Sequence, residues 1–130
     1  MPVEHGAIME AVCAHPLLRL IERRTLEQIV RSSRCADYRA KRTFVKQGAL
    51  AEHAFFLLRG SVRVFHRDEL GNEVLLKLFC APALFGEMEI LGRRTFLEYV
   101  TTLEASTLLE IPAAVFLDGP RPSRFLLKAC

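Results

Sequence analysis

The sequence predicts a mainly β fold, an antiparallel β-roll or jelly roll flanked by short α-helices. Two observations support this prediction. From Val62 to Arg67 the side chains alternate between two sets, which is the two-residue period of a strand with two distinct faces. In addition, short β-rich runs are separated by turn residues such as Gly48, Gly60 and Gly71, a spacing typical of a closed roll or sandwich.

Length and charge limit the function classes that the chain can belong to. Its 130 residues suit a single domain with a core of its own. Hydrophobic residues make up 51% and charged residues 25%, which is a globular rather than a disordered composition. The net charge of +3 suits a small anionic ligand, but it is too low for the basic stripe of a nucleic-acid surface.

The sequence shows no segment that would take it into or across a membrane. Its N-terminus carries Glu4 and Glu10 and lacks the basic and apolar regions of a signal peptide. The longest mainly apolar run, residues 74–85, is interrupted by Lys77 and Pro82 and is too short to cross a bilayer. We therefore expect a cytoplasmic protein without a membrane partner.

The 4 cysteines are scattered along the chain without a C-x-x-C pair. This spacing argues against a structural zinc site and against a disulfide scaffold. We expect reduced thiols that pack as small hydrophobic side chains.

Residues 1–34 are expected to form N-terminal helices. Apolar residues between Ala7 and Ala14 predict a short helix that Pro16 stops. A capping box formed by Thr25 and Gln28 predicts the start of a second helix, which ends near residues 32–33.

Residues 35–111 are expected to form the roll. The hairpin turn at residues 68–72 contains Gly71 and Asn72, which tolerate positive φ. The predicted strands are Tyr38–Lys41, Thr43–Lys46, His53–Leu58, Val62–Arg67, Val74–Cys80, Leu97–Leu103 and Ser106–Ile111.

Residues 112–130 are expected to return to helix. Pro112 suits the first position of a helix that extends to Leu117, and Gly119-Pro120 would end it. The apolar run Phe125-Leu126-Leu127 predicts a last helix that is cut short in this sequence.

The segment 84–95 is the strongest candidate for a ligand site. Gly86 allows a ligand to approach the backbone closely, and the residues after it can begin a helical turn whose free N–H groups face an anion. Arg93 and Arg94, followed by Thr95, offer donors to a phosphate. Glu87 suits the hydroxyl groups of a sugar. This combination indicates a nucleotide monophosphate.

Several motifs occur along the chain between the predicted helices and strands. They are Phe44-x-x-x-Gly48, the run Ala54–Val62, the Gly71 hairpin, Phe85-Gly86-Glu87-Met88 and Leu109-Glu110-Ile111-Pro112. These motifs and the order of elements resemble the cyclic nucleotide-binding domain, in particular the sensor domain of the catabolite-activator (CRP/FNR) family of transcription regulators. The resemblance covers roughly residues 17–127.

The resemblance implies a regulatory domain with a small-molecule effector, cyclic AMP or cyclic GMP, and no catalytic residue. Gly86 and neighbouring amides, from Phe85 to Met88, would receive the phosphate, and Glu87 the ribose hydroxyl. An Arg followed by Ser or Thr would pair with the phosphate, for which Arg94-Thr95 is the candidate, while Val64 and Phe79 would line the pocket. The family also implies a homodimer through the C-terminal helix and a DNA-binding domain that would follow this chain.

A second interpretation stays open at this point. Pro82-Ala83 replaces the family's Gly-acid pair, and Arg94-Thr95 lies two residues early. The same roll could then sense haem, a gas or a redox signal through His53, His66 or Cys80, or act only as a dimerisation module. An enzyme is not expected, because no His-x-His or His-x-x-x-His pair or catalytic triad is evident, and no metal site is expected.

Overall fold

The computed structural model describes residues 4–92 and 94–117 of the chain. Eight strands form two antiparallel sheets, with two helices before them, one between them and one after them. The helices are α1 (His5–Ala14), α2 (Arg23–Ser32), α3 (Glu87–Leu91) and α4 (Ala114–Leu117), with a 3₁₀ turn at Leu18–Leu20. The strands are β1 (Arg34–Tyr38), β2 (Thr43–Val45), β3 (His53–Arg59), β4 (Ser61–Arg67), β5 (Glu73–Cys80), β6 (Ala83–Phe85), β7 (Tyr99–Thr102) and β8 (Ser106–Pro112).

Each sheet has four strands. The first sheet has the order β1-β8-β3-β6 and the second has the order β2-β7-β4-β5. Consecutive strands change sheets, except for the β4–β5 hairpin, which stays in the second. This arrangement confirms the predicted antiparallel roll.

The core lies between the two sheets. Its largest fully buried side chains include Leu57 and Leu108 from the first sheet and Val62 from the second. A chain of aromatic contacts runs through Phe44, Phe55, Phe85 and Phe79, with ring centroids 5.1 to 6.2 Å apart. These aromatic side chains bury large areas and fix the distance between the sheets.

The N-terminal helices pack on the outer face of the first sheet. Val12 of α1 and Leu26 of α2 are buried there, where they help to enclose a small apolar space beside Phe56 and Leu109. The His15 ring lies edge-on to Phe56 at 5.7 Å. Apolar contacts therefore join the two helices to the roll.

Several element boundaries differ from the sequence-based predictions. Helix α2 begins at Arg23 rather than Thr25, and no side chain caps its N-terminus. The predicted strand Tyr38–Lys41 is wrong, because β1 ends at Tyr38 and Lys41 turns the chain with φ 63°. That turn is stabilised from β7, since the Lys41 N–H donates to the Thr102 carbonyl.

The C-terminal end of the roll also differs. Pro112 still belongs to β8 and pairs with His53, so the helix predicted to begin there, α4, begins at Ala114. Strand β7 is shorter than the predicted Leu97–Leu103. The last predicted helix, around residues 123–128, lies outside the described residues.

The predicted hairpin turn between β4 and β5 is stabilised by Asp68. Its Oδ1 accepts hydrogen bonds from the backbone N–H groups of Leu70 and Asn72, both at 2.9 Å. Gly71 has φ 86°, a conformation in which glycine is not strained. The turn fixes the register of β5, which forms the edge of the second sheet.

Candidate ligand-binding site

A cavity of about 310 Å³ opens beside the turn that joins β6 to α3. Its walls come from β4, β5, β6, the start of α3 and the segment that precedes β7. The lining residues are Val64, Leu76, Lys77, Phe79, Leu84, Phe85, Gly86, Glu87, Met88, Glu89, Phe96, Glu98 and Val100. Its size matches that of pockets for small molecules.

Gly86 forms the sharp turn at the base of the cavity. Its φ of 89° and ψ of −10° lie in the left-handed region, which glycine adopts without strain. A Cβ at this position would lie 3.4 Å from the His53 carbonyl oxygen and 3.4 Å from the Ala54 Cα. Gly86 therefore satisfies both a backbone requirement and a close approach to β3.

Glu87 follows this turn and lines the cavity, and one of its carboxylate oxygens lacks a hydrogen bond. Its Oε2 is buried and accepts no hydrogen bond from the described residues. The pKa of the Glu87 carboxyl is raised, mainly because the group is buried and also because Glu89 repels its negative charge. A hydrogen bond from its own backbone and the charge of Lys77 lower the pKa in part. A buried carboxylate without a donor is unfavourable, so this atom is ready to accept a ligand hydroxyl or amine proton.

Two further carboxylates lie in the cavity wall. Glu89 is half-buried, which raises the pKa of its carboxyl, and repulsion from Glu98 raises it further. With Glu87, these side chains give one part of the cavity an acidic lining.

Lys77 contributes positive charge from the opposite wall. It pairs with Val64 across the β4–β5 ladder, and its Nζ lies 5.3 Å from the centroid of the Phe79 ring. Phe79 stacks on Phe85 with centroids 5.4 Å apart. The apolar part of the cavity is thus an aromatic surface beside the Gly86 turn, a suitable contact for a planar ring.

The structure brings together most of the residues that the sequence singles out. Six of them line the cavity, namely Val64, Phe79, Phe85, Gly86, Glu87 and Met88. Arg94 and Thr95 do not line it, and Arg93 lies outside the described residues. The proposed contact between these last three residues and a phosphate therefore stays a prediction.

Arg94 is held by its backbone at the edge of this region. It has φ 70°, its N–H donates to the Glu89 carbonyl, and its own carbonyl accepts from Ala51, both at 2.6 Å. Its side chain is exposed. Thr95 forms an isolated bridge with Leu50.

Sequence reasoning missed several lining residues, among them Leu76, Lys77, Glu89 and Glu98. A regular strand would place Leu76 and Lys77 on opposite faces. The register shifts between Val64 and Phe65, so that Lys77 pairs with Val64 and Leu75 pairs with Phe65. Leu76 is the extra residue of this bulge and reaches the cavity beside Lys77, and no sequence signal marks it. Lys77 itself follows from regular alternation with Phe79, two residues further along the strand.

The alternative ligands His53, His66 and Cys80 lie on three different strands, β3, β4 and β5. Within residues 4–92 and 94–117, no group of three or more His, Cys, Asp or Glu side chains could hold a metal ion. In the same residues, no helix is long and apolar enough to span a bilayer.

A family model described as the cyclic nucleotide-binding domain matches residues 36–119. This match includes the roll from the third residue of β1 onwards and every residue that lines the cavity.

Among curated proteins, the chain is similar to the cAMP-activated global transcriptional regulator CRP of Pasteurella multocida. The two are 35% identical over 63 residues, which is 48% of this chain and 30% of the relative. The CRP of Salmonella typhimurium is 33% identical over 64 residues, again 30% of the relative. The chain thus matches less than a third of the length of these regulators.

Solved structures show the same fold. A putative cyclic nucleotide binding protein from Ruegeria pomeroyi superimposes with a TM-score of 0.85 and 19% identity, over 98% of this chain and 58% of the other. The sensor domain of the transcriptional regulator DNR from Pseudomonas aeruginosa superimposes with a TM-score of 0.84 and 16% identity, over 95% of this chain and 81% of the other.

Proposed function

Because the chain belongs to the cyclic nucleotide-binding domain family, we propose that it is a regulatory domain whose ligand is cyclic AMP or cyclic GMP. The ligand would bind in the cavity beside Gly86. The observation that carries this proposal is the buried, unpartnered Oε2 of Glu87, a residue that lines this cavity. A ribose hydroxyl would supply the missing donor. The proposed ligand thus satisfies an atom that the protein leaves unsatisfied.

The remaining lining supports the same ligand. The Gly86 turn lets the backbone N–H groups that follow it approach a phosphate, and the arginines after α3, Arg93 and Arg94, with Thr95, are proposed as further phosphate donors. Val64, Phe79 and Phe85 provide an apolar wall for the nucleoside. Met88, which lines the cavity but is 62% exposed, would cover the bound ligand at the entrance.

We propose that the output is conformational rather than catalytic. The named CRP relatives are transcriptional regulators, and a ligand that binds one arrangement of the domain more tightly shifts its population. In this proposal the chain is the cytoplasmic effector domain of a CRP/FNR-type regulator. Dimerisation through the C-terminal helix and DNA binding through a further domain are parts of the proposal.

A thermal-shift titration with cyclic AMP and cyclic GMP tests the proposal. A ligand that binds only the folded state stabilises it by about 2.7 kcal/mol at a hundred times its Kd. We expect a saturable rise in melting temperature with one of the two nucleotides. Glu87→Ala and Arg94→Ala should weaken the shift, whereas Arg31→Ala, an exposed position on α2, should leave it unchanged.

A second candidate function is the same roll with an inactive nucleotide pocket, which would sense haem, a gas or a redox signal or serve only for association. The acidic lining favours it, because Glu87, Glu89 and Glu98 all oppose the entry of an anion. No shift with millimolar nucleotide, together with a change in absorbance or association state on adding haem, would support this candidate and overturn the first.

A further inference from the structure

We propose that Lys77 is the residue that contacts the negatively charged group of the ligand in this cavity. This inference rests on the proposed function, since it takes the ligand to be a cyclic nucleotide. It assigns the principal cation to strand β5 rather than to the arginines after α3.

The charges of the lining support this assignment. Among the described residues that line the cavity, Glu87, Glu89 and Glu98 are acidic, and Lys77 is the one cation. An anion that leaves water for such a site needs a nearby positive charge, because an unpaired charge is poorly solvated there. Lys77 is the side chain in the lining that can supply it.

Regular alternation along β5 places Lys77 at the cavity. Lys77 lies two residues before Phe79, so the two side chains project from the same face of the strand, and both line the cavity. The bulge, where the register shifts between Val64 and Phe65, lies just before Lys77 and brings Leu76 to the same space. Lys77 therefore faces the cavity from a regularly paired part of the strand.

Lys77 is also available to a ligand. In the described part of the chain it forms no ion pair with a carboxylate, and its Nζ lies over the Phe79 ring at 5.3 Å from the centroid. The Lys77 charge lowers the pKa of the Glu87 carboxyl, although burial of that carboxyl outweighs it. The amine therefore lines the cavity without an ion-pair partner among the described residues.

Arg94 is less well placed for this role. Its backbone is bonded to Glu89 and Ala51, and its side chain does not contribute to the lining, whereas that of Lys77, which is also exposed, does. A contact between Arg94 and a phosphate requires this segment to move, whereas Lys77 already faces the cavity.

The test compares the binding of charged and neutral ligands by Lys77→Gln and Lys77→Arg. Lys46→Gln is the matched control, because Lys46 is exposed and does not line the cavity. Calorimetry would measure the affinities for cyclic AMP, cyclic GMP and the uncharged nucleosides adenosine and guanosine. We expect Lys77→Gln to bind both cyclic nucleotides about tenfold or more weakly, which is the loss expected for a charge-assisted hydrogen bond. Its affinity for the nucleosides should change little. Lys77→Arg should retain affinity within a few-fold.

Three results would overturn the inference. Equal affinity of Lys77→Gln and the wild type for both cyclic nucleotides would remove Lys77 from the site while leaving the proposed function intact. A loss confined to guanine-containing ligands, nucleoside included, would assign Lys77 to the base instead of the phosphate. A wild-type protein that binds no cyclic nucleotide would overturn the proposed function and this inference with it.

Discussion

Gly60 lies directly against Ser106 at the point where β3 turns into β4. A Cβ built on Gly60 would come within 2.8 Å of the Ser106 Cα, and Gly60 has φ 99°. Backbone atoms cannot move aside as a flexible side chain can. The close contact between this turn and the start of β8 therefore requires glycine on two independent grounds.

Gly60→Ala should destabilise the fold by about 3 kcal/mol or more, because backbone strain and a steric clash add together. Urea unfolding followed by circular dichroism would measure the loss. Gly71→Ala is the matched control, since Gly71 also has positive φ but has open space around its Cβ position. Gly71→Ala should lower the unfolding free energy by only about 1 kcal/mol. Equal losses for the two variants would show that the Ser106 contact does not matter.

The Glu87 carboxyl leads to a prediction in which stability and binding move in opposite directions. Burial is the main cause of its raised pKa, so ionisation is less favourable in the folded chain than in the unfolded one. The stability that goes with the protonated Glu87 carboxyl is therefore present at acid pH and is lost as the pH rises through the folded-state pKa. Glu87→Gln should therefore be more stable than the wild type at pH 7.5, by about 1 kcal/mol, and bind the proposed nucleotide less tightly.

The measurement is the difference in unfolding free energy between Glu87→Gln and the wild type at pH 4.5 and at pH 7.5. We expect the difference to shrink at the lower pH, where the wild-type carboxyl is more often protonated. Glu69→Gln, at an exposed position in the hairpin, should show no such gain. A Glu87→Gln variant that is less stable than the wild type at pH 7.5 would mean that Glu87 has a stabilising partner.

The sequence sufficed for those parts of the site that depend on local chemistry. Gly86 and Glu87 are neighbours in the chain, so their roles as turn and acid can be predicted from residue type. Val64 and Phe79 were reached through the family resemblance. The two-residue period of β4 and the turn residues likewise predicted the antiparallel roll.

Other features depend on contacts between distant segments. Leu76 reaches the cavity because the β4–β5 register shifts at Val64/Phe65, and a shift of that kind is set by packing rather than by a local pattern. The end of β1 is decided by Thr102, whose hydroxyl accepts from the Arg42 N–H and donates to the Arg39 carbonyl. No pattern in the sequence near residues 38–42 predicts these hydrogen bonds.

Tyr38 and Glu110 join β1 to β8 through their side chains. The Tyr38 hydroxyl donates a hydrogen bond to the Glu110 carboxylate, and the Arg42 guanidinium lies 4.2 Å above the centroid of the Tyr38 ring. Burial raises the pKa of Tyr38, and the hydrogen bond with Glu110 raises it further. The hydroxyl therefore stays protonated and acts as a donor at physiological pH.

Tyr38→Phe should lower the unfolding free energy by about 1 to 2 kcal/mol, since it leaves the carboxylate without its donor. Tyr99→Phe serves as the control, because the Tyr99 ring stacks on Phe65 and its hydroxyl forms no hydrogen bond with the described residues. That variant should change stability by less than about 0.5 kcal/mol. If Tyr38→Phe were as stable as the wild type, the bond would be replaced by water at no net loss.

His15 makes the attachment of the N-terminal helices sensitive to pH. Its Nδ1 accepts hydrogen bonds from the backbone N–H groups of Leu17 at 3.2 Å and Leu18 at 3.4 Å, so it must be unprotonated. Burial lowers the pKa of His15 below its ordinary value of 6.5. Because the folded-state pKa is depressed, its contribution is present above pH 6.5 and is lost as the pH falls through the folded-state value.

We expect amide hydrogen exchange in residues 5–20 to become faster between pH 7 and pH 5, after correction for the intrinsic rate, while the core strand β8 keeps its protection. His15→Asn is the informative variant, since its side-chain oxygen can accept the same backbone donors but does not titrate in this range. Its protection should change less with pH than that of the wild type. The same acid-induced loss in both proteins would exclude His15 as the titrating group, because only the histidine gains a proton that displaces the Leu17 and Leu18 donors.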